Sequence, residues 1–174
     1  MEEVILVNKD DVETGVLEKM EAHEKALLHR AFSVFIFNSN GEMLLQQRAL
    51  NKYHSGGLWT NACCSHPRPS EDTLAAAQRR LAEEMGIATP LKKIFDFIYK
   101  AEFDNGLTEY EFDHVFVGYS NNKPDININE VANYAYRSMD RIELTVATSP
   151  EFYTEWFLIA FPKIIEWWKE QQGK

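Results

Sequence analysis

Cysteine is scarce in this 174-residue sequence: Cys63 and Cys64 are the only two, and they are adjacent. Neighbouring cysteines cannot close the long chain loop through which a disulfide stabilises a secreted domain. Long hydrophobic runs are missing as well, because the stretch from Trp156 to Phe161 is far shorter than the roughly 20 apolar residues that span a bilayer. The N-terminal residues also lack the basic region and long apolar stretch of a signal peptide. We therefore expect a cytoplasmic protein with no membrane-spanning segment.

Positive charge is in deficit: 18 Lys and Arg stand against 27 Asp and Glu, so the formal net charge is -9. Binding along a nucleic acid requires a basic surface that neutralises phosphates, so nucleic acid is not an expected partner. A small anion held by a few local cations is compatible with this charge. The apolar share of 45% and the aromatic share of 13% disfavour the disordered, collagen and coiled-coil classes. Without repeats or linker-like segments, the chain is expected to form one domain over residues 1–174.

Hydrophobic alternation and turn residues predict a series of strands. The hairpin signal is strongest at Asn105-Gly106, between the segments Leu91 to Phe103 and Thr108 to Tyr119. A second hairpin is predicted around Asn38 to Gly41. The remaining extended segments are Val4 to Val7, Thr14 to Lys19, Ala31 to Phe37, Glu42 to Gln47 and Val131 to Ser138. With a few helices between them, these strands predict a mixed α/β layered fold.

Three segments are predicted to be helical. A short, polar one covers Met20 to Leu28. A longer one is expected to begin at a Ser70 N-cap and to stop at Gly86. Its apolar face comprises Leu74, Ala77, Leu81 and Met85. Ser149 followed by Pro150 indicates the start of the last helix.

The segment from Trp59 to Pro67 concentrates a thiol, an imidazole and small polar side chains in one extended stretch. Side chains alternate between the two faces of a strand, so Cys64 and His66 share a face and Cys63 points the other way. An isolated cysteine is usually a small buried hydrophobe, which suits Cys63. At Cys64 the neighbouring imidazole favours a chemical role, because it can change the protonation of the thiol.

The same alternation places Glu109 and Glu111 on one face of a strand, with Tyr110 on the other. Like charges this close are unfavourable unless a cation lies between them. A solvated edge strand would also accommodate the two carboxylates, so the pattern leaves both interpretations open.

Three of the histidines are placed so that they can form a metal site. His23 and His29 lie just before the Ala31 strand, where they can converge with His66. Three imidazoles with two carboxylates would make a nitrogen and oxygen site suited to Zn, Mn or Fe. Any one of these histidines taken alone is more often a surface residue than a metal ligand. His54 and His114 have no such partners in the sequence and are expected to be ordinary surface histidines.

Charged residues on the helix after Ser70 form the i,i+4 pairs Arg79 with Glu83 and Arg80 with Glu84, which are typical of a solvated helix face. The helix also resembles the Nudix box, a motif of Gly, Arg and Glu residues at fixed spacing. Glu71, Arg79, Glu83, Glu84 and Gly86 match the box, while Ser65 replaces its first Gly and Arg80 replaces a metal-binding Glu.

Taken with the cysteine segment, the paired glutamates and the histidines, the chain resembles the type I isopentenyl-diphosphate isomerases of the Nudix superfamily over most of its length. The resemblance implies a Nudix-like mixed β-sheet layered between α-helices, and interconversion of isopentenyl diphosphate and dimethylallyl diphosphate. In that family a Cys and a Glu on opposite faces of the alkene move a proton, and Cys64 and Glu111 match them, with Glu111 expected as the acid. Tyr110 departs from the usual Asn, but it points away from the site.

The resemblance also implies roles for the other site residues. Tyr99 lies near the acid, and Trp156 offers an aromatic face to a carbocation. The cations that meet the diphosphate are Lys19, Arg48, Lys52 and Arg80. The ligands of one divalent ion (Mn, Zn or Mg) are His23, His29, His66, Glu109 and Glu111, and Glu84 holds a Mg ion that bridges to the diphosphate.

Two other functions are compatible with parts of the sequence. A Nudix hydrolase of a nucleoside-diphosphate derivative would use the partial box, but Arg80 replaces one of its carboxylates. Such a hydrolase needs neither Cys64 nor Glu111. A catalytically silent Nudix-like binding domain would have no use for the thiol, the histidines and the glutamates together.

Overall fold

The computed structural model describes residues 1–173 as a nine-stranded mixed sheet with helices on both faces. The strands are β1 (Glu3–Val7), β2 (Glu13–Glu18), β3 (His29–Phe37), β4 (Met43–Arg48), β5 (Trp59–Thr60), β6 (Cys63–Ser65), β7 (Lys92–Glu102), β8 (Thr108–Tyr119) and β9 (Val131–Arg137). The helices are α1 (Lys19–Glu24), α2 (Thr73–Met85), α3 (Met139–Thr148) and α4 (Glu155–Gln172), and a 3-10 turn covers Pro150–Phe152. This architecture confirms the predicted fold class. Among these residues, no helix has the length and apolarity that a bilayer crossing requires.

Strand β3 occupies the centre of the sheet, and almost all of its side chains are buried because both of its faces are covered. It runs parallel to β8 from the His29–Glu111 pair to the Phe37–Tyr119 pair. On its other edge it pairs antiparallel with β6, where Ser33 lies opposite Cys64. The cysteine segment and the glutamate strand are therefore brought to the two sides of one strand.

Helices cover the two faces of the sheet in the manner that strand alternation dictates. Val34 and Phe35 are successive residues of β3, so their side chains point to opposite faces. Val34 packs with Leu81 of α2 in one core cluster. Phe35 packs with Ile142 of α3 and Phe161 of α4 in the other. The sheet is thus held between two packed layers.

The start of α2 differs from the sequence prediction. Its N-cap is Asp72, whose side chain accepts a hydrogen bond from the Ala75 amide at 2.9 Å. Ser70 has φ +64 and lies outside the helix. Leu74, predicted for the apolar face, is 37% exposed. Gly86 ends the helix as predicted, in the left-handed conformation with φ +64, and a Cβ there would come within 2.6 Å of the Asp125 carbonyl oxygen.

The last helix also begins later than predicted, because Ser149 and Pro150 start the 3-10 turn rather than the helix. Thr154 is the true N-cap of α4, with its side chain accepting from the Phe157 amide. Helix α3 was not predicted, and its N-cap Ser138 is the last residue of the strand predicted over Val131 to Ser138.

The two predicted hairpins differ in outcome. Strands β7 and β8 form a long antiparallel hairpin around Gly106, which has φ +82, as predicted. The hairpin of β3 and β4 is closed only by the Phe37–Met43 pair. Beyond this pair, β4 bonds to β9 and β5 instead, because β6 and β8 occupy the edges of β3.

Candidate active site

The candidate site is built on β6, β3 and β8, which lie side by side. Glu109 and Glu111 of β8 face the same side of the sheet, and each is less than a tenth exposed. Tyr110 points away, where the Lys100 ammonium lies 6.0 Å from its ring centre. The solvated edge strand is therefore excluded, because β8 is paired on both edges and its two carboxylates are buried.

A buried group of four side chains could hold a metal ion. His23 of α1, His29 of β3, His66 after β6 and Glu111 of β8 each offer a ligand atom, and all four atoms lie within 4.8 Å of one another. The Nε2 atom of His66 is 3.0 Å from Glu111 Oε1, and that of His29 is 3.5 Å from the same oxygen. The predicted convergence of the three histidines is thus observed.

The donor set fits a divalent cation. His23 Nδ1 lies 2.7 Å from the Lys19 carbonyl and His29 Nδ1 lies 2.8 Å from the Leu27 carbonyl. A ring nitrogen that donates its proton to a carbonyl leaves the other nitrogen as a lone-pair donor. The Nε2 atoms of both rings are buried and have no hydrogen-bond partner among the described residues. Burial lowers the pKa of His66 to about 4, which keeps that imidazole neutral and able to bind a metal.

Glu109 lies beside this group rather than within it. Tyr99 Oη is 3.0 Å from Glu109 Oε2 and 2.7 Å from Glu111 Oε2, so the phenol connects the two carboxyl groups. Burial and the Glu111 charge raise the pKa of Glu109 well above its usual range. Burial also opposes the ionisation of Glu111, but the adjacent His29 and His66 rings hold its pKa well below the usual range. Of the two carboxyl groups, Glu109 is therefore the one that holds a proton more readily.

The two cysteines have the opposite orientations that alternation predicts. Cys63 is fully buried in the core under α2. Cys64 packs with Tyr99 and Trp156 and borders the site cavity. Its thiol donates to Asn61 Oδ1 at 3.1 Å. Burial, with the charge of nearby Asp113, raises the pKa of Cys64 far above its usual range, so the thiol is protonated.

All four cations predicted to meet a diphosphate line one cavity of about 690 Å³ together with Cys64, Glu111 and Trp156. Lys19 pairs with Glu2 at 3.1 Å, and Lys52 pairs with Glu130. The Arg48 guanidinium lies 5.0 Å from the ring centre of Trp156, so the indole already contacts a positive charge. The cavity thus combines a cationic part with an aromatic one.

The Nudix-like pairs of α2 differ in their surroundings. Arg79 is half-buried and lines the cavity edge, and it pairs with the exposed Glu83 at 3.2 Å and with Glu71 at 2.7 Å. Arg80 Nη2 lies 2.6 Å from Glu84 Oε1, and Glu84 is buried, so this pair belongs to the cavity wall. Gln46 of β4 donates to the other Glu84 oxygen at 2.9 Å.

Two histidines were wrongly expected at the surface. His114 is buried and its Nε2 is 3.0 Å from Asp11 Oδ2. His54 is 7% exposed and its Nε2 is 3.3 Å from Glu109 Oε1. The loop that carries His54 has no periodic pattern, so only the fold could bring it to the glutamate strand.

Several site residues were missed. Asp113 continues the alternation of Glu109 and Glu111, and this pattern could have identified it. Its Oδ2 accepts from Ser33 at 2.7 Å, and the Ser33 hydroxyl lies 3.4 Å from the Cys64 sulfur. Asn61, three residues before Cys64, was also within the segment that the sequence analysis singled out.

Comparison with known proteins finds a matching family model and similar sequences. A NUDIX domain family model matches residues 27–157. The chain is 52% identical over 167 residues to isopentenyl-diphosphate Delta-isomerase from Pectobacterium atrosepticum, covering 96% of this chain and 93% of that protein. It is 47% identical over 173 residues to isopentenyl-diphosphate Delta-isomerase 2 from Photorhabdus laumondii, covering 96% and 98%.

Solved structures with low sequence identity share the fold. A crystal structure from Deinococcus radiodurans has a TM-score of 0.77 at 17% identity, covering 93% of this chain and 98% of that one. The MutT protein from Methanosarcina mazei has a TM-score of 0.65 at 20% identity, covering 84% and 96%. At such identities the similarity concerns the fold alone.

Proposed function

Because this chain belongs to the NUDIX family and, within it, to the isopentenyl-diphosphate Delta-isomerases, we propose a role for each group of its site in that reaction. The chain interconverts isopentenyl diphosphate and dimethylallyl diphosphate. The observation that carries the assignment of roles is the placement of a thiol and a carboxylate on the two strands that flank β3, both facing one cavity.

Cys64 and Glu111 exchange protons with the substrate. One group gives a proton to the terminal methylene, where the π electrons form the new C–H bond and leave a tertiary carbocation. The other group takes a proton from C2, whose C–H electrons form the new double bond. The reaction is reversible, so each group donates in one direction and accepts in the other.

Burial and the neighbouring groups determine which group holds a proton. The buried thiol of Cys64 is protonated and Glu111 is ionised, which is the reverse of the expected starting state with Glu111 as the acid. Glu109 has a raised pKa, and Tyr99 contacts both carboxyl groups. With the protons placed in this way, Cys64 donates to the terminal methylene and Glu111 accepts from C2. Glu111 is the donor in the reverse direction, when it holds the proton and Cys64 is a thiolate, and the Tyr99 hydroxyl links it to the carboxyl group of Glu109.

The aromatic cluster protects the cationic intermediate. An unactivated alkene is a weak base, and water would capture the carbocation that protonation leaves. Tyr99 and Trp156 are each less than a tenth exposed and pack around Cys64. A desolvated cation–π contact contributes about 2 kcal/mol, whereas enzymes lower barriers by roughly 8–23 kcal/mol. Trp156 therefore assists, and most of the acceleration comes from positioning and proton transfer.

The diphosphate is assigned to the cationic part of the cavity. Lys19, Arg48, Lys52 and Arg80 come from three separate elements and the 49–57 loop, so they can surround an anion. Their carboxylate partners Glu2 and Glu130 would exchange places with phosphate oxygens. This arrangement reconciles an anionic substrate with a net charge of -9.

Divalent metal ions are assigned to two positions. His23, His29, His66 and Glu111 would hold one ion of the Mn, Zn or Mg type, with Glu109 adjacent. Glu84 would hold a Mg ion that accompanies the diphosphate. An ion at the first position would withdraw electron density from Glu111 and strengthen it as an acid.

The assignment of roles is tested by following isopentenyl diphosphate with the purified protein and Mg²⁺ by NMR. We expect the allylic isomer to accumulate without released phosphate. In ²H₂O, one deuterium should enter the new methyl group, because the proton comes from an exchangeable acid. Phosphate release without the isomer would favour the hydrolase alternative.

A further inference from the structure

A second cleft lies beside the site cavity. It measures about 540 Å³ and borders the 49–57 loop, the tip of the β7–β8 hairpin and the start of α4. Its apolar walls are formed by Leu58, Phe103, Pro150, Tyr153 and Leu158. Of the residues that the structure describes, His54 alone lines both this cleft and the site cavity.

The His54 ring is fixed between the two spaces. It stacks on Phe103 with ring centres 4.5 Å apart and an angle of 11° between the planes. Its ring centre is 5.7 Å from that of Trp156, with the two rings nearly perpendicular, on the side of the site cavity. Its Nε2 is 3.3 Å from Glu109 Oε1. With contacts on both sides, this imidazole forms part of a wall between the cavity and the cleft.

The second cleft suits a hydrocarbon and repels a diphosphate. Its rim carries the carboxylates of Asp104, Glu151 and Glu155, all on exposed residues. The predicted diphosphate-binding cations all line the site cavity instead. A substrate bound with its diphosphate among those cations could therefore extend only an uncharged chain toward the second cleft.

We propose that His54 sets the length of the hydrocarbon that the enzyme accepts, because it closes the site cavity against the second cleft. The wall limits the C3 substituent of a homoallylic diphosphate to a small group such as methyl. Removal of the imidazole joins the two spaces and admits a longer alkyl chain. This inference rests on the proposed function, since it concerns the hydrocarbon end of the same substrate.

The test compares His54→Ala with His54→Gln. The first removes the ring, whereas the second keeps a long side chain with an amide that can still donate to Glu109. Both are assayed with isopentenyl diphosphate and with its homologue that carries propyl in place of the C3 methyl. The measured quantity is the specificity ratio, which is kcat/KM for the homologue divided by kcat/KM for isopentenyl diphosphate. We expect this ratio to rise at least roughly tenfold in His54→Ala, because one methylene in a hydrophobic pocket changes kcat/KM by about that factor or more. In His54→Gln the ratio should stay within about twofold of wild type.

Leu158 tests whether the longer alkyl group enters the second cleft, because this residue lines that cleft but not the site cavity. Leu158→Trp in the His54→Ala background should fill the cleft and abolish the gain for the homologue. Leu158→Ala alone should leave turnover of isopentenyl diphosphate unchanged.

Turnover of isopentenyl diphosphate by the wild type is measured in the same series. An inactive wild type would contradict the proposed function, and this result is distinct from a failure of the inference about His54. The inference is wrong if His54→Ala converts isopentenyl diphosphate without gaining the homologue, or if Leu158→Trp does not reverse the gain. If His54→Ala does not fold, as judged by its thermal unfolding, His54→Ser removes the same ring and the same ratio decides.

Discussion

At the scale of single residues, the direction in which a side chain points decides its surroundings, even between residues of the same type. Cys63 and Cys64 are chemically identical neighbours, yet one is in the core under α2 and the other borders the site cavity. Glu109 and Glu111 share a face, but only Glu111 reaches the three histidines. Within each pair the two residues have the same side chain in different surroundings, so a variant of one serves as the matched control for the same variant of the other.

We expect Cys64→Ala to lower the rate of isomerisation by roughly 10²–10⁴-fold, because it removes one of the two proton-transfer groups. Cys63→Ala should retain most of the activity, since that side chain faces the core. Isomerisation is measured by NMR on both variants after their folding has been checked by circular dichroism. Equal loss in two folded variants would mean that the strand direction does not separate their roles.

The two glutamates are expected to respond differently to added metal. Glu109→Gln removes a carboxyl group beside the four-residue group, so it should weaken Mn²⁺ binding and reduce activity in part, and excess Mn²⁺ should recover some of that activity. Glu111→Gln removes a ligand and a proton-transfer group at once, so added metal should not restore turnover. Activity and bound metal are followed together during the titration. The reverse pattern would exchange the two roles.

At the scale of elements, the ends of helices were the least predictable feature. Ser70 has the residue type of an N-cap, but its backbone is left-handed and Asp72 caps α2 instead. Both residues suit the N-cap position, so the choice between them depends on the path of the preceding loop.

Asp72→Ala is expected to lower the free energy of unfolding by about 1 kcal/mol, because the Ala75 amide loses its hydrogen-bond acceptor. Ser70→Ala lacks this effect and serves as the control. Urea unfolding of the two variants at pH 7 measures the difference. A larger loss in Ser70→Ala than in Asp72→Ala would contradict the observed cap.

At the scale of the whole molecule, the site depends on contacts between segments far apart in sequence. His23, His29, His66 and Glu111 come from α1, β3, the segment after β6 and β8. A cation bound by all four would link these elements and stabilise the folded state over the unfolded one.

Mn²⁺ at a hundred times its Kd should therefore raise stability by about 2.7 kcal/mol, which corresponds to a Tm increase of roughly 5–10 °C for a chain of this size. A chelator should reverse the increase. His23→Gln should reduce it strongly, whereas Glu83→Gln, on the exposed face of α2, should leave it unchanged. Thermal unfolding monitored by circular dichroism supplies the measurement. An undiminished shift in His23→Gln would exclude the four-residue site.

The buried histidines also predict a dependence of stability on pH. Burial lowers the pKa of His54 to about 3 from its usual value near 6.5. The unfolded chain therefore binds a proton below pH 6.5 that the folded protein does not, and folding loses about 1.4 kcal/mol per pH unit from this group. Urea unfolding between pH 7.5 and 5, with chelator present, should show wild type losing its advantage over His54→Gln as the pH falls. A constant difference between the two would mean that His54 titrates normally in the folded protein.

Local patterns in the sequence determined much of this protein. Alternation placed Cys64 opposite to Cys63 and put Glu109 and Glu111 on one face, because a strand has a fixed period of two. Gly86 and the Asn105-Gly106 turn marked chain reversals, because a positive φ favours glycine. The mixed α/β class followed from the same short-range signals.

Only the tertiary structure decided which distant residues meet. The β3–β8 and β3–β6 pairings set the distance between thiol and carboxylate, and no local pattern specifies a strand's neighbour. His54 lies in an irregular loop, so its contact with Glu109 arises from packing against Phe103 and Trp156. Protonation states were likewise decided by the fold, because burial and partners set the pKa of a group, whereas residue type sets only its starting value.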